Sequence, residues 1–374
     1  MALYKRQFDI ITSLNISETQ QGLLANGISY IDEIVSSLCP KGGGCGYELY
    51  GELYNAKKYS IMLRSPSRPC NNHRLRGVVI EDYDIYMNID IFYDTDNDRP
   101  NIYLSIIGAN GIILSGNKII DIVKRFSHIL HASIISLDDE SELTTVCKGV
   151  NFSLPILYIL SGGISWYNSK GFVSKLFNEE YQHNTRLLSL NIVDFLHSQL
   201  LYTFDILKND GEEPDEEDKE LLKITFTKNM NDFFIFFEKY TKRYPFLDDT
   251  GLILTKDMSV QEIFTRIKFF VFRNLPKKRT GVLTDVCKHL GWLFRSINIK
   301  RIDEDADEEE FHELSTEYPT IILYSQSHDY HLDNPSIPHS IKFTLKPQKN
   351  IVRRKTTSKK FTSVKKSTRK RITR

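Results

Sequence analysis

The sequence predicts an α/β (α+β) chain: a mixed sheet with crossover helices, then a mainly helical C-terminal domain and a disordered basic tail. Three observations carry this reading. Residues 78–172 alternate short apolar runs of strand period with longer runs of helical period. From Asn191 onward long amphipathic segments take over. The last 24 residues, Ile351–Arg374, hold 11 Lys and Arg and no acid.

The order of elements follows from local pattern. Ser29–Leu38 places Ile31, Ile34, Val35 and Leu38 at helical spacing. Lys41–Gly46 (KGGGCG) is a flexible turn. It lacks the terminal Gly-Lys-Ser/Thr of a phosphate-binding loop, and a strand rather than a helix follows it at Tyr47–Tyr54. Tyr59–Leu63 and Val78–Ile80 are short strands. Met87–Tyr93 alternates Met87, Ile89, Ile91 and Tyr93 against Asn88, Asp90 and Phe92, a half-buried strand. Asp94–Pro100 is a hairpin loop without the Gly and Glu of a calcium loop. Asn101–Ile107 is the next strand. Ser115 is placed to N-cap a helix from Gly116 to about Leu130, and Ala132–Leu137 is a buried strand. Strand, helix and strand at this spacing predict a parallel crossover beside antiparallel hairpins.

Further on, helices are expected over Ile192–Leu207, Asp215–Tyr240, Glu262–Leu275 and Thr284–Ile297, and a strand over Ile321–Tyr324. Acidic runs at Asn209–Asp218 and Asp303–Glu310 read as solvated loops. The expected organisation is an N-terminal region over 1–77, an α/β domain over 78–190 and a helical domain over 191–325. A linker over 326–350 and the tail over 351–374 complete it.

Composition bounds the class. Hydrophobic residues make up 41% of 374, enough for a packed core. The formal net charge of +1 divides into +11 on the tail and −10 on residues 1–350. Five cysteines (Cys39, Cys45, Cys70, Cys147 and Cys287) are odd in number and widely spread, which reads as reduced thiols of an intracellular protein. Cys39, Cys45, Cys70 and His73 match no zinc-finger spacing, so no metal is expected. The N-terminus has no apolar signal core, and no run reaches the roughly 20 apolar residues of a membrane span, so neither secretion nor a membrane partner is expected.

One stretch points to a family. Leu154–Phe172 (LPILYILSGGISWYNSKGF) reads as a core helix ending in paired glycines and a sharp turn. Its end, with Tyr167, Gly171 and Phe172, resembles the Tyr-x-x-x-Gly-Phe turn of the GNAT acyltransferase superfamily, and residues 87–172 resemble that family's order of elements. The resemblance implies a GNAT-like mixed sheet, acetyl-CoA as cofactor, and Tyr167 as the acid that protonates the departing thiolate. It places the cofactor loop at Gly108–Asn117 (GANGIILSGN), with Gly111, Ser115, Gly116 and Asn117 as binding residues at a helix N-terminus. The family's Gln/Arg-x-x-Gly-x-Gly/Ala pattern fits no frame there, which implies a degenerate site. The longer phrase also resembles proteins of large double-stranded DNA viruses.

Each residue has a second reading. Tyr167 also reads, and more simply, as an aromatic packed at a helix end, with Gly171 supplying a turn and Phe172 filling core. Asp138, Asp139, Glu140 and Glu142 follow a strand C-terminus, where they could hold an amine substrate or form a charged loop. His128 and His131 flank a helix end and could cap its carbonyls. In the tail, Arg353, Arg354, Lys355, Lys359, Lys360, Lys365, Lys366, Arg369, Lys370 and Arg371 form a flexible polycation. Such a segment binds nucleic acid or another polyanion by counterion release, without reading sequence. A nuclear-localisation signal, a phosphorylation-tuned segment and an anchor on acidic protein share the same composition. Acyl transfer and non-enzymatic polyanion binding are thus the two expected functions.

Overall fold

A computed structural model of the chain describes residues 11, 13–38, 48–66, 83–93, 99–107, 116–139, 141–147, 150–243, 252–273, 281–302, 319–324 and 328–332. All of these fall in one compact unit, Met1–His339. Val78–Ile80, the Gly-rich turn at 41–46, the acidic run at 303–310 and the tail at 351–374 lie outside the described residues.

Helix α1 (Glu18–Leu38) opens the described chain and is followed by a meander of four antiparallel strands, β1 (Glu48–Asn55), β2 (Lys58–Pro66), β3 (Tyr83–Phe92) and β4 (Asn101–Ile107). The β1–β2 hairpin is tied at its tip by Asn55, whose Oδ1 accepts the backbone N–H of both Lys57 and Lys58 at 2.8 Å. Helix α2 (Gly116–Ile129) then crosses to β5 (Ile134–Leu137), which pairs parallel with β4 over Asn101–Tyr103 only. The sheet closes with β10 (His328–His331), antiparallel to β5, to give the order β1-β2-β3-β4-β5-β10. On the far side of β10 a single bridge pairs Val173 with Asp329 through two hydrogen bonds of 2.9 Å. The fold is therefore a mixed α/β one with a mostly antiparallel sheet and eight helices among the described residues.

Period-2 alternation decides which sheet face is covered. Ile61, Leu63, Ile89, Ile91, Ile102, Leu104, Ile135 and Leu137 all point to one side and are buried against α1 and α2. Helix α2 supplies Ile119, Ile120, Val123 and Phe126 to this core, the stripe expected from its spacing.

A second core is built by the helices and a few short strands. The hairpin of β6 (Glu142–Cys147) and β7 (Val150–Ser153) leads into α3 (Leu154–Gly162). Then come α4 (Phe177–Leu187), α5 (Ile192–Asn209), α6 (Glu216–Arg243), α7 (Val260–Arg273) and α8 (Gly281–Arg295). A parallel pair, β8 (Ile299–Ile302) and β9 (Ile321–Tyr324), packs beside them. Helix α7 begins with a capping box in which the Ser259 N–H donates to Glu262 Oε2 (2.9 Å) and the Glu262 N–H donates to Ser259 Oγ (3.3 Å). Phe233, Phe237, Phe264 and Phe270 are fully buried here. A polar network fastens the β8–β9 pair. Gln199, wholly buried, accepts from the Asn298 N–H and donates to Pro319 O, both at 3.0 Å, and Asn184 exchanges two hydrogen bonds with the Ile322 backbone.

Two expectations are corrected. The cysteines are not all reduced thiols, because Cys147 on β6 and Cys287 on α8 form a disulfide across 140 residues. Packing of the hairpin against α8 brings the two together, which linear spacing could not reveal. Within the segment read as a linker without periodicity, His328–His331 forms strand β10, held by backbone pairing to β5 rather than by apolar alternation.

Candidate active site

The Leu154–Phe172 stretch joins the two cores. Ile156, Leu157, Ile159 and Leu160 on α3 are buried in the helical core, and Tyr167 and Phe172 are buried in the sheet core. The helix starts where Ser153 Oγ accepts the Ile156 N–H at 3.4 Å, with a proline in its first turn. It stops at Gly163, whose φ of +84° only glycine adopts without strain.

The turn beyond is held from several sides. Asn168 Oδ1 accepts the Ser165 N–H (3.0 Å), Ser165 Oγ accepts the Asn168 N–H (3.3 Å), and Asn168 Nδ2 donates to Phe172 O (3.0 Å). Gly171, at φ +88°, turns the chain so that Phe172 enters the core and Val173 reaches β10. Lys124 of α2 lies over the Tyr330 ring at 3.7 Å and donates to Lys170 O, which ties α2 to the same corner.

Within this frame Tyr167 is 6% exposed and lies edge-on to Trp166 (4.8 Å) and Phe172 (6.2 Å). Burial first, and the negative charge of Asp139 second, push its phenol well above the usual tyrosine range, so it is protonated at neutral pH. Asp139 follows β5 and is buried. Its Oδ1 accepts from Ser141 Oγ at 2.8 Å, and its Oδ2 has no hydrogen-bond partner among the described residues. The protonated phenol thus lies within electrostatic reach of Asp139, which follows β5.

The other sequence candidates are distributed differently. Gly116 and Asn117 form the first turn of α2, which carries no acidic residue. No hydrogen bond or ring contact joins them to Tyr167 among the described residues. Gly111, Ser115 and Glu140 lie outside the described residues, as do Cys39, Cys45, Cys70, His73 and the ten basic tail residues. Asp138 accepts a hydrogen bond from Tyr103 Oη, and Glu142 accepts one from Asn151 Nδ2 at 2.8 Å. His128 and His131 are exposed. Among the described residues no three or more His, Cys, Asp or Glu converge as for a metal ion, and no helix is long and apolar enough to cross a membrane.

Sequence reasoning missed the polar row on the sheet face opposite the apolar residues that pack on α1 and α2. Ser60, Asp90, Tyr103, Ser136 and Asp329 are successive cross-strand partners from β2 to β10. Ser60 donates to Asp90, Lys58 pairs with Asp90 at 3.0 Å, and Ser136 donates to Asp329 at 2.6 Å. A cleft of about 490 Å³ lies over Lys58, Asp90, Phe92, Tyr103 and Ser136. In the sequence only Asp90 of this row is marked, by the polar half of the period-2 alternation in β3, and its partners come from other strands. No family model, curated protein or solved structure matches the chain.

Proposed function

We propose that the chain is a GNAT-like protein with the fold of an acyl-CoA-dependent N-acyltransferase, its cofactor loop degenerate and Tyr167 its proton donor. The observation that carries the reading is topological. A four-strand antiparallel meander followed by the β4–α2–β5 crossover supports the reading, being the order of elements the resemblance leads one to expect. The helical region then stands as an insertion between the Gly171–Phe172 turn and β10.

Acetyl-CoA, when bound, would supply an acyl group activated as a thioester. The chain's own residues fit such a group in two respects. The first turn of α2, with Gly116 and Asn117, carries no acidic residue to repel a pyrophosphate. Tyr167, held neutral by burial, has a proton to give where sulfur gains charge. Asp139, whose Oδ2 has no hydrogen-bond partner among the described residues, is the acidic residue that this reading sets beside Tyr167.

Tyr167→Phe tests the role, since the ring packing stays while the hydroxyl goes. Thiol release from acetyl-CoA in the presence of an amine mixture should fall on the order of 100-fold, with acetyl-CoA affinity unchanged. Equal rates would refute the acid role.

A second reading rests on the tail composition. Eleven basic residues without an acid favour non-enzymatic binding of nucleic acid or another polyanion. Deleting Ile351–Arg374 should then abolish salt-sensitive DNA binding, and binding that persists with the same salt slope would refute it.

A further inference from the structure

Helix α6, the longest among the described residues, has two faces of different character. On one, Phe226, Met230, Phe233 and Phe237 pack on the helical core. On the other, Leu221, Ile224, Lys228, Asn231, Ile235 and Glu238 follow one another at steps of three and four. Ile224 stands about 160° around the helix from Phe226, so the second strip faces away from the core.

Leu221 is 61%, Ile224 58% and Ile235 56% exposed, and the polar members of the strip are exposed or half-buried. A groove of about 430 Å³ runs along it from Glu220 to Asp232, lined by α6 alone. At one edge Asn231 Oδ1 accepts a hydrogen bond from Lys256 Nζ at 2.6 Å. The exposed Leu222 lies on the opposite side of the helix and takes no part in the strip. A lone aliphatic on a surface needs no explanation, but three on one helix at the spacing of a coiled-coil seam suit a helical partner.

The charges along α6 decide which partner fits. Its first turn holds Glu216, Glu217 and Asp218, and Glu220 follows, while Lys239 stands exposed toward the other end. Two copies laid parallel would set Glu217 against Glu217 and Lys228 against Lys228. Laid antiparallel about a two-fold axis between Asn229 and Met230, they match instead. Ile224 meets Ile235 of the second copy, Glu220 meets Lys239, Lys228 meets Asn231, and Leu221 meets the aliphatic stem of Glu238. The axis makes each contact occur twice. It also falls at the midpoint of Glu216–Arg243, so the whole helix, about 42 Å long, is in register, and the opposed helix dipoles add to the match. Glu220 already lies 3.6 Å from Lys223 on its own helix and can take a second cation. Asn231 Oδ1 has a second lone pair for Lys228 of the other copy. A polar pair of this kind inside an apolar seam fixes the register.

We propose that α6 is the docking surface for a second copy of this chain, joined as an antiparallel helix pair about that two-fold axis. Ile224 and Ile235 form its apolar layers, and Glu220 and Lys239 its flanking charge pairs. The aliphatic contacts are few, so the two copies associate reversibly. The association requires neither acetyl-CoA nor Tyr167.

Sedimentation equilibrium of the full chain tests this. It should show a monomer–dimer equilibrium with a dissociation constant on the order of 10 μM. Ile224→Glu should raise that constant on the order of 100-fold. Glu220→Lys and Lys239→Glu each bring like charges together twice, and each should raise it on the order of tenfold. The variant carrying both reversals restores opposite charges across the axis and should return to near the parent value. Circular dichroism and the thermal midpoint verify that each variant folds. A chain still monomeric at about 300 μM would overturn the proposal, as would a dimer indifferent to Ile224→Glu. No recovery in the double reversal would overturn the antiparallel pairing.

Discussion

At Gly171 one backbone angle decides whether Phe172 enters the sheet core. A Cβ there would lie 3.3 Å from the Tyr330 ring, and the φ of +88° is strained for any side chain. Gly171→Ala should destabilise the chain by about 1–3 kcal/mol, measured by urea denaturation. An unchanged midpoint would show that the turn relaxes freely. Gln199 makes the corresponding case for a polar side chain. It serves the Asn298 N–H, Pro319 O and the Thr320 hydroxyl at once, so Gln199→Leu should leave buried groups unpaired and cost about 3 kcal/mol. The titratable residues set a pH dependence. His183, donating from Nε2 to Thr320 O at 2.8 Å, and His289, stacked on Phe236 at 4.2 Å, both have lowered pKa values through burial. The unfolded chain then binds protons that the folded chain does not, so stability should fall as pH drops below about 6.5. Lys124 and Lys268, lowered to about 8, act in the same sense at higher pH: stability should rise between about pH 8 and 10. Chemical denaturation across pH 5–10 checks both slopes.

Element by element, the sequence was legible where a single face is apolar. Strand β4 and strand β9 match the expected spans, and α2 ends within a residue of its expected end, because their alternation or stripe is uninterrupted. Helix α1 runs eleven residues earlier than its apolar pattern indicated, since Gln20, Gln21, Gly22 and Gly27 interrupt the stripe that Leu24 and Ile28 continue. Strand β10 was illegible: His-Asp-Tyr-His has no apolar alternation, and its conformation comes from β5 on one side and Val173 on the other. Strands β6, β7 and β8 were also missed, since Glu-Leu-Thr-Thr-Val-Cys, Val-Asn-Phe-Ser and Ile-Lys-Arg-Ile carry too few apolar residues to mark a strand without their partners. At the site, Tyr167 was found through its motif, and its nearness to Asp139 was not, because 28 residues of chain separate them.

For the whole unit, the joint between the two cores is the mechanical question. Leu154–Phe172 contributes to both, and the Cys147–Cys287 bond pins the hairpin before α3 to α8. A closed loop of 140 residues corresponds to at most about 5 kcal/mol of chain entropy removed from the unfolded state. Reduction, or Cys147→Ser with Cys287→Ser, should therefore lower the thermal midpoint by several degrees, and an unchanged midpoint would contradict a stabilising role. The central claim concerns what the sheet and its Tyr167 corner hold. Isothermal titration of the full chain with acetyl-CoA tests it most directly. The GNAT-like reading predicts saturable heat with one site per chain, with a smaller affinity for acetyl-pantetheine because the pyrophosphate contact at α2 is lost. No heat and no shift in the thermal midpoint at millimolar acetyl-CoA would contradict it.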